Sequence, residues 1–297
     1  MASQVAISSA LRPLVVVVGE TASGKSAMAI ELAHEFNGEI ICADSRTVYT
    51  GMDIGTAKPS AADRSLIPHH ILDVITPDQR FSAADFKAQA EAAIADILAR
   101  GKLPIMVGGT GLYVDAVLYN FAFRAPANPD ERQKLEKLSV DELQQALAAK
   151  GIPLPNNPQN PRHLIRALET GGQQSERQTL RGNTLVLGLK IDRELLEKRI
   201  EKRIDDMVTT GLLEEIESLA QKYGWDAPGL QAPGYRAFRP YFAGDIDLVT
   251  AKKQFAQNDK QLAKRQRTWF KRNADIQWIS TVEQANERVK NLLQDNA

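Results

Sequence analysis

Gly19-Glu20-Thr21-Ala22-Ser23-Gly24-Lys25-Ser26 follows the pattern G-x-x-x-x-G-K-[ST]. Glycines at both ends let the backbone curl into a ring of N–H donors that faces an anion. A helix starting there adds the positive end of its dipole. Lys25 then reaches the outer phosphates, and the Ser26 hydroxyl suits a bound Mg²⁺. The pattern points to a polyphosphate without saying which one; a plain glycine-rich turn is the bland alternative. Asp44 closes the apolar run that ends at Ala43, where ligands meet an open α/β sheet. Three roles fit it: a metal ligand, a general base for an acceptor, or a helix cap shared with Ser45. Gly108-Gly109-Thr110-Gly111 allows close backbone approach to a ligand, or only a tight turn. His69-His70 lacks a third ligand at metal spacing and reads as structural; Cys42, inside a strand, reads as a small apolar group.

A second kind of chemistry lies near the C-terminus. Lys252 to Arg272 reads as one long helix with eight Lys/Arg and one Asp, interleaved with Phe255, Leu262, Trp269 and Phe270. The cations spread over several faces, so some can grip phosphates while Trp269 packs inward. Acidic residues at i±4 are nearly absent. That leaves either an excess of positive potential fit for an anionic macromolecule such as RNA, or a merely solvated face.

The elements that must hold these residues alternate. Leu14 to Val18 is a strand covered on both faces, and Met28, Leu32 and Phe36 share one face of the helix after Gly24. Glu39 to Ala43 is a strand. Ser82 caps a helix through Arg100, and Leu103 to Val107 is a third strand. Such alternation implies a parallel sheet wrapped by helices. From about Asn120 the composition shifts, and Ala125 to Asn160, rich in Pro, Asn, Gln and Ala, reads as a mainly helical insertion. Thr184 to Leu189 rejoins the sheet. After Asp192 the chain is mostly helical, with Leu195, Leu196, Ile200, Ile204 and Met207 on one apolar face. Ile276 to Ile279 is a late strand. The expected organisation is a three-layer P-loop core from residues 1–120 and 181–297, with a smaller helical domain over residues 121–180.

The whole chain has 297 residues, 43% of them hydrophobic, with Lys+Arg and Asp+Glu equal at 37 each and a single cysteine. Those figures argue against disorder, a disulfide framework and paired-cysteine metal sites. No run approaches a bilayer span, and Met1 to Pro13 lacks the pattern of a secretory signal, so a cytoplasmic protein without membrane partners is expected. Neutral net charge says little about partners, because charges can be segregated.

Taken together, these segments resemble the tRNA dimethylallyltransferases. The resemblance is carried by the phosphate loop, Ala43-Asp44-Ser45-Arg46, Val48-Tyr49, Gly51-Met52-Asp53-Ile54-Gly55-Thr56-Ala57-Lys58-Pro59 and Pro68-His69-His70-Ile71-Leu72-Asp73. Gly108-Gly109-Thr110-Gly111-Leu112-Tyr113, Asn160-Pro161-Arg162, Arg166-Ala167-Leu168-Glu169, Gly234-Tyr235-Arg236, Leu262-Ala263-Lys264-Arg265-Gln266 and Thr268-Trp269-Phe270 follow in family order. The resemblance implies Mg²⁺-assisted transfer of a dimethylallyl group from its diphosphate. The acceptor is the exocyclic amine of the adenosine immediately 3′ of the anticodon, in tRNAs reading codons that start with U. Gly19 to Ser26 would hold the donor diphosphate and Ser26 the metal; Lys25, Arg203, Asp44 and Thr110 would be catalytic, with Asp44 taking the amine proton. Asp44, Ser45, Arg46, Thr47, Thr110, Arg162, His163, Arg166, Gln231, Gly234, Tyr235, Arg236, Lys264 and Arg265 would meet the tRNA, whose anticodon arm the helical insertion embraces. A monomer is expected.

Some positions depart from the family pattern: Glu20 for Pro, Thr47 for Gln, His163 for Arg, Pro233 for an aliphatic residue, and Asp259-Lys260 for Thr-Arg. The segment Thr170 to Gln174 looks shortened. Glu20 is expected to point away from the anion. An adenylate prenyltransferase, a small-molecule P-loop kinase and a nucleotide-dependent RNA-binding switch are the rival readings; the basic helix and the insertion disfavour the first, and the lack of NKxD the last.

Overall fold

A computed structural model of the chain describes residues 13–123, 128–173 and 178–294. The stretch through Arg12 and the end of the Thr170–Gln174 segment lie outside the described residues. Unit 1 comprises Met1–Tyr119 and Leu180–Ala297; unit 2 is Asn120–Thr179.

Unit 1 begins with β1 (Leu14–Val18), α1 (Lys25–Glu35), β2 (Gly38–Cys42), α2 (Ala61–Leu66), β3 (His69–His70), α3 (Ala83–Ala99), β4 (Leu103–Gly108) and α4 (Gly111–Leu118). Unit 2 holds α5 (Pro129–Leu135), α6 (Val140–Ala149) and α7 (Pro161–Thr170). The chain then returns to unit 1 with β5 (Thr184–Leu189), α8 (Arg193–Thr209), α9 (Leu212–Tyr223), α10 (Pro233–Phe242), α11 (Leu248–Phe270), β6 (Ile276–Ile279) and α12 (Val282–Gln294).

The sheet order is β3-β2-β4-β1-β5-β6, with every neighbouring pair parallel. All five residues of β1 are fully buried. Val15 and Val17 join Met28 and Leu32 of α1 and Val289 of α12 in one core. The alternate β1 residues face the other way, as strand geometry requires, and α3 packs against β2 and β4. The result is the expected three layers. Ser82 and Asp85 form a reciprocal capping box that fixes where α3 starts, a device worth about 1 kcal/mol. Unit 2 has its own small core of Leu143, Leu147, Leu164, Ile165, Ala167 and Leu168.

Two helix expectations fail in detail. Leu195 is 44% exposed, so the apolar face of α8 runs through Leu196, Ile200, Ile204 and Met207 only. On α11, Phe270 is the buried aromatic and Trp269 remains 40% exposed. The two are adjacent, about 100° apart around the helix, and at this turn it is the Phe270 side that faces the core.

Candidate active site

β1 delivers the phosphate loop at the carboxyl edge of the sheet, and β2 and β4, on one side of it, deliver Asp44 and the Gly108–Gly111 loop. From the other direction α8 and α11 bring Arg199, Arg203, Asp259 and Gln266. Two cavities result. One, about 430 Å³, is lined by Thr21, Ala22, Gly24, Lys25, Ser26, Asp44, Thr47, Arg199 and Arg203, among others. The other, about 320 Å³, is lined by Asp44, Ser45, Arg46, Thr110, Leu112, Arg203, Gly234, Arg265 and Trp269, among others. Thr21, Asp44, Thr56, Ala57 and Arg203 line both, so the two cavities meet at Asp44 and Arg203.

The phosphate cavity is lined by three cations, Lys25, Arg199 and Arg203, against one carboxylate, Asp44. Burial pushes the Lys25 ammonium down to about 8, with the Arg203 charge acting the same way and Asp44 and Asp259 opposing both. The Lys25 Nζ donates to the Glu20 carbonyl at 3.3 Å. Arg203 Nη2 donates to Thr21 Oγ1 at 3.0 Å and to Asp259 Oδ2 at 2.5 Å. Its Nε is buried without a partner among the described residues, as is Ser23 Oγ. Burial raises the Asp259 carboxyl above its usual range despite that pairing. Arg199, one helical turn before Arg203, donates from Nη1 to the Ser23 carbonyl at 3.2 Å. Only the i,i+4 spacing of the two arginines on α8 hinted at this second guanidinium.

Glu20 lines neither cavity. Both of its oxygens bind Arg267, at 2.6 and 2.7 Å, so its added charge is neutralised away from the anion. Gln266, 7% exposed, accepts from Thr21 N at 2.8 Å and donates to the Gly109 carbonyl at 3.1 Å. One amide therefore ties the phosphate loop to the Thr110 loop, although Gln266 lies 245 residues from Thr21 and 157 from Gly109. A Cβ on Gly109 would lie 2.2 Å from Gln266 Nε2, and one on Gly111 would lie 2.4 Å from the Trp269 ring. The glycines of this loop thus admit protein neighbours.

Asp44 Oδ1 accepts from Arg46 N at 2.8 Å, and Oδ2 has no hydrogen-bond partner among the described residues. Thr110 Oγ1 accepts from Ser45 N at 3.0 Å, fixing the hydroxyl at the second cavity. Cys42 is a buried thiol pushed up to about 12, consistent with an inert apolar group. His70 Nε2 donates to Glu39 Oε2 at 2.8 Å, which supports a structural role for it.

Several residues expected to touch RNA are placed otherwise. Tyr235 is fully buried, with its hydroxyl donating to Glu215 Oε1 at 2.6 Å. Glu215 also accepts from the amides of Asp53, Ile54 and Gly55 at 2.7 to 2.9 Å. Tyr235 therefore braces the Gly51–Pro59 loop and offers no RNA surface. Thr47 is 7% exposed and lines the phosphate cavity, not the acceptor cavity. Gln231 donates to the Trp225 carbonyl at 2.8 Å. Arg236, Lys264 and Arg265 are exposed. In unit 2, Arg162 and His163 are exposed and Arg166 pairs with Glu169 at 3.3 Å. The cations of α11 are less free than expected. Lys252 pairs with Asp205, Lys260 with Glu197 and Glu201, and Arg267 with Glu20, all contributed from outside α11.

Residues 47–273 match the family model described as IPP transferase. The chain belongs to that family. It is 43% identical over 283 residues to the tRNA dimethylallyltransferase of Roseiflexus sp. (strain RS-1), covering 89% of this chain and 92% of the relative. It is 43% identical over 282 residues to that of Anoxybacillus flavithermus, covering 90% and 89%. Among solved structures, the full-length tRNA isopentenylpyrophosphate transferase of Bacillus halodurans superimposes with a TM-score of 0.75 at 36% identity, over 96% of this chain and 97% of that one. A eukaryotic dimethylallyltransferase captured acting on tRNA gives 0.77 at 28% identity, over 96% and 80%. The chain shares its parallel-sheet fold with these structures. No helix among the described residues is long and apolar enough to cross a membrane.

Proposed function

We propose that this IPP transferase family member moves a dimethylallyl group from dimethylallyl diphosphate to the exocyclic amine of the adenosine immediately 3′ of the anticodon, in tRNAs reading codons that start with U. The single observation that carries this reading is the meeting of the two cavities at Asp44 and Arg203. A diphosphate in the loop cavity and a purine in the other place the reacting carbon and the amine on either side of that junction. The bond from carbon to diphosphate oxygen breaks as the bond from amine nitrogen to carbon forms, and Asp44 accepts the proton the nitrogen sheds. Negative charge gathers on the departing diphosphate, where Lys25, Arg203 and the loop amides stabilise it. The buried, unpartnered Arg203 Nε and Ser23 Oγ suit a cradle designed around an anion.

Mg²⁺ fits the same cavity: the Ser26 hydroxyl lines it and would hold the ion, a hard cation that takes one or two protein oxygens beside substrate phosphates and water. When bound it neutralises diphosphate charge. In unit 1 the RNA contacts are Ser45, Arg46, Thr110, Gly234 and Arg265 around the second cavity, with Arg236 and Lys264 exposed elsewhere; in unit 2, taken by itself, they are Arg162, His163 and Arg166. The protein acts as a cytoplasmic monomer.

The deciding experiment supplies dimethylallyl diphosphate with an anticodon stem-loop RNA, AMP or ATP as alternative acceptors. Mass spectrometry of digested RNA should show one adenosine heavier by a five-carbon unit. Prenylated AMP with unmodified RNA, or transfer of a nucleotide's terminal phosphate, would refute the reading.

A further inference from the structure

Large apolar side chains left in water near a polar cavity call for a ligand. Leu112 and Trp269, 41% and 40% exposed, both line the second cavity. Trp269 is also held rigidly. Its Nε1 donates to Asp115 Oδ2 at 3.0 Å, and its five-membered ring lies against Gly111 so closely that any Cβ there would collide. Leu262, Arg265, Gln266 and Trp269 share one face of α11, at i, i+3, i+4 and i+7, and all four line this cavity. A fixed aromatic plane with a guanidinium one turn away is the chemistry that holds single-stranded nucleic acid, the ring taking a base and the cation its phosphate.

From this geometry we propose that Trp269 is a stacking platform for the nucleotide adjacent to the acceptor adenosine, and so a substrate-positioning residue at the acceptor cavity. The inference rests on the RNA-acceptor reading above. Extruding one base removes a stacking partner from each of its neighbours. An indole at the cavity restores one of those stacks and holds the strand with the target base inside. Because any base offers a π-face, the platform demands a base at that position more than a particular identity.

The test measures steady-state kinetics of wild type, Trp269→Ala and Trp269→Phe on an anticodon stem-loop RNA and on two copies of it. Each copy is abasic at one nucleotide flanking the acceptor. Trp269→Ala should raise the KM for intact RNA about tenfold, and Trp269→Phe, which keeps a ring, should stay within about threefold. Donor affinity by calorimetry should not change in either variant. Removing the stacked base should cost wild type a similar factor and cost Trp269→Ala almost nothing, since the platform is already gone. An unchanged KM in Trp269→Ala overturns the proposal, as does an equal loss on intact RNA and both abasic RNAs, which would make the ring structural. If Trp269→Ala does not fold, the wild-type arm decides: no penalty at either abasic position overturns the proposal. Failure of wild type to prenylate any RNA instead refutes the underlying acceptor reading.

Discussion

Glu39→Gln tests whether the strand that presents Asp44 is anchored by charge. The Glu39 side chain is 1% exposed and sits between two cations, Arg100 and Lys102, with the His70 imidazole beside them. Arg100 grips both oxygens, with Nη2 to Oε2 at 2.8 Å; Lys102 Nζ lies 2.8 Å from Oε1, and His70 Nε2 lies 2.8 Å from Oε2. The Arg100 bonds above all, joined by those of Lys102 and His70, hold its carboxyl far below the usual carboxylate range against the opposing effect of burial. Breaking a buried pair from one side costs about 3–5 kcal/mol. Here Arg100 and Lys102 are 40% and 32% exposed and can rehydrate, and glutamine keeps an acceptor oxygen. The expected loss is therefore about 2–3 kcal/mol, or about 5–10 °C in Tm. Because the folded-state value is depressed, the stabilisation is complete above the unfolded value of about 4.3 and fades as pH falls through the folded one. The gap between wild type and variant should be widest at pH 7 and shrink steadily below pH 4. Scanning calorimetry at pH 7, 5 and 3.5 measures it, and turnover well below the transition should be within about twofold of wild type. A Tm gap under about 2 °C at pH 7, or one that ignores pH, refutes the anchoring argument.

Other outcomes follow from the site. Asp44→Asn should lower kcat by at least about a hundredfold with donor affinity intact, and Lys25→Ala should chiefly weaken donor binding; single-turnover rates and donor calorimetry separate the two. Gly109→Ala should push Gln266 off Thr21 and reduce kcat/KM by about tenfold or more without unfolding unit 1, as read by kinetics beside circular dichroism. Reversing Lys264 and Arg265 to Glu should weaken RNA binding and reduce the slope of log affinity against log salt by about two; filter binding at several salt concentrations checks it, and an unchanged slope would show that these side chains meet no phosphate.

Where a segment's own residues settle its structure, reading it from sequence works. Thr184–Leu189 and Ile276–Ile279 are strands at the boundaries their apolar runs suggest, and α3 starts at its Ser82 cap. Where long-range packing decides, it does not. β3 is two histidines that become a strand only because β2 lies beside them. The choice between Trp269 and Phe270 as the buried aromatic depends on which neighbour α11 meets. Tyr235 carries a family motif, yet a motif gives a position and not its burial. The roles of Gln266 and Arg199 are not legible in sequence because their partners, Thr21 and Ser23, lie 245 and 176 residues away.

The two acidic departures from the family pattern near the phosphate site share one physical resolution. Glu20 adds a negative charge to the loop itself, and Asp259 adds another beside Arg203. Unpaired, either would repel a diphosphate. Glu20 is matched by Arg267 in a two-point ion pair that points its charge out of the cavity. Asp259 is matched by Arg203 Nη2, the nitrogen that also reaches Thr21, and Nε is left unengaged. Around the two cavities, Lys25, Arg46, Arg199, Arg203 and Arg265 face Asp44 and Asp259, a net positive lining. A neutral residue at position 259 would leave the Arg203 charge uncompensated, so Asp259 lowers the positive charge offered to a bound anion.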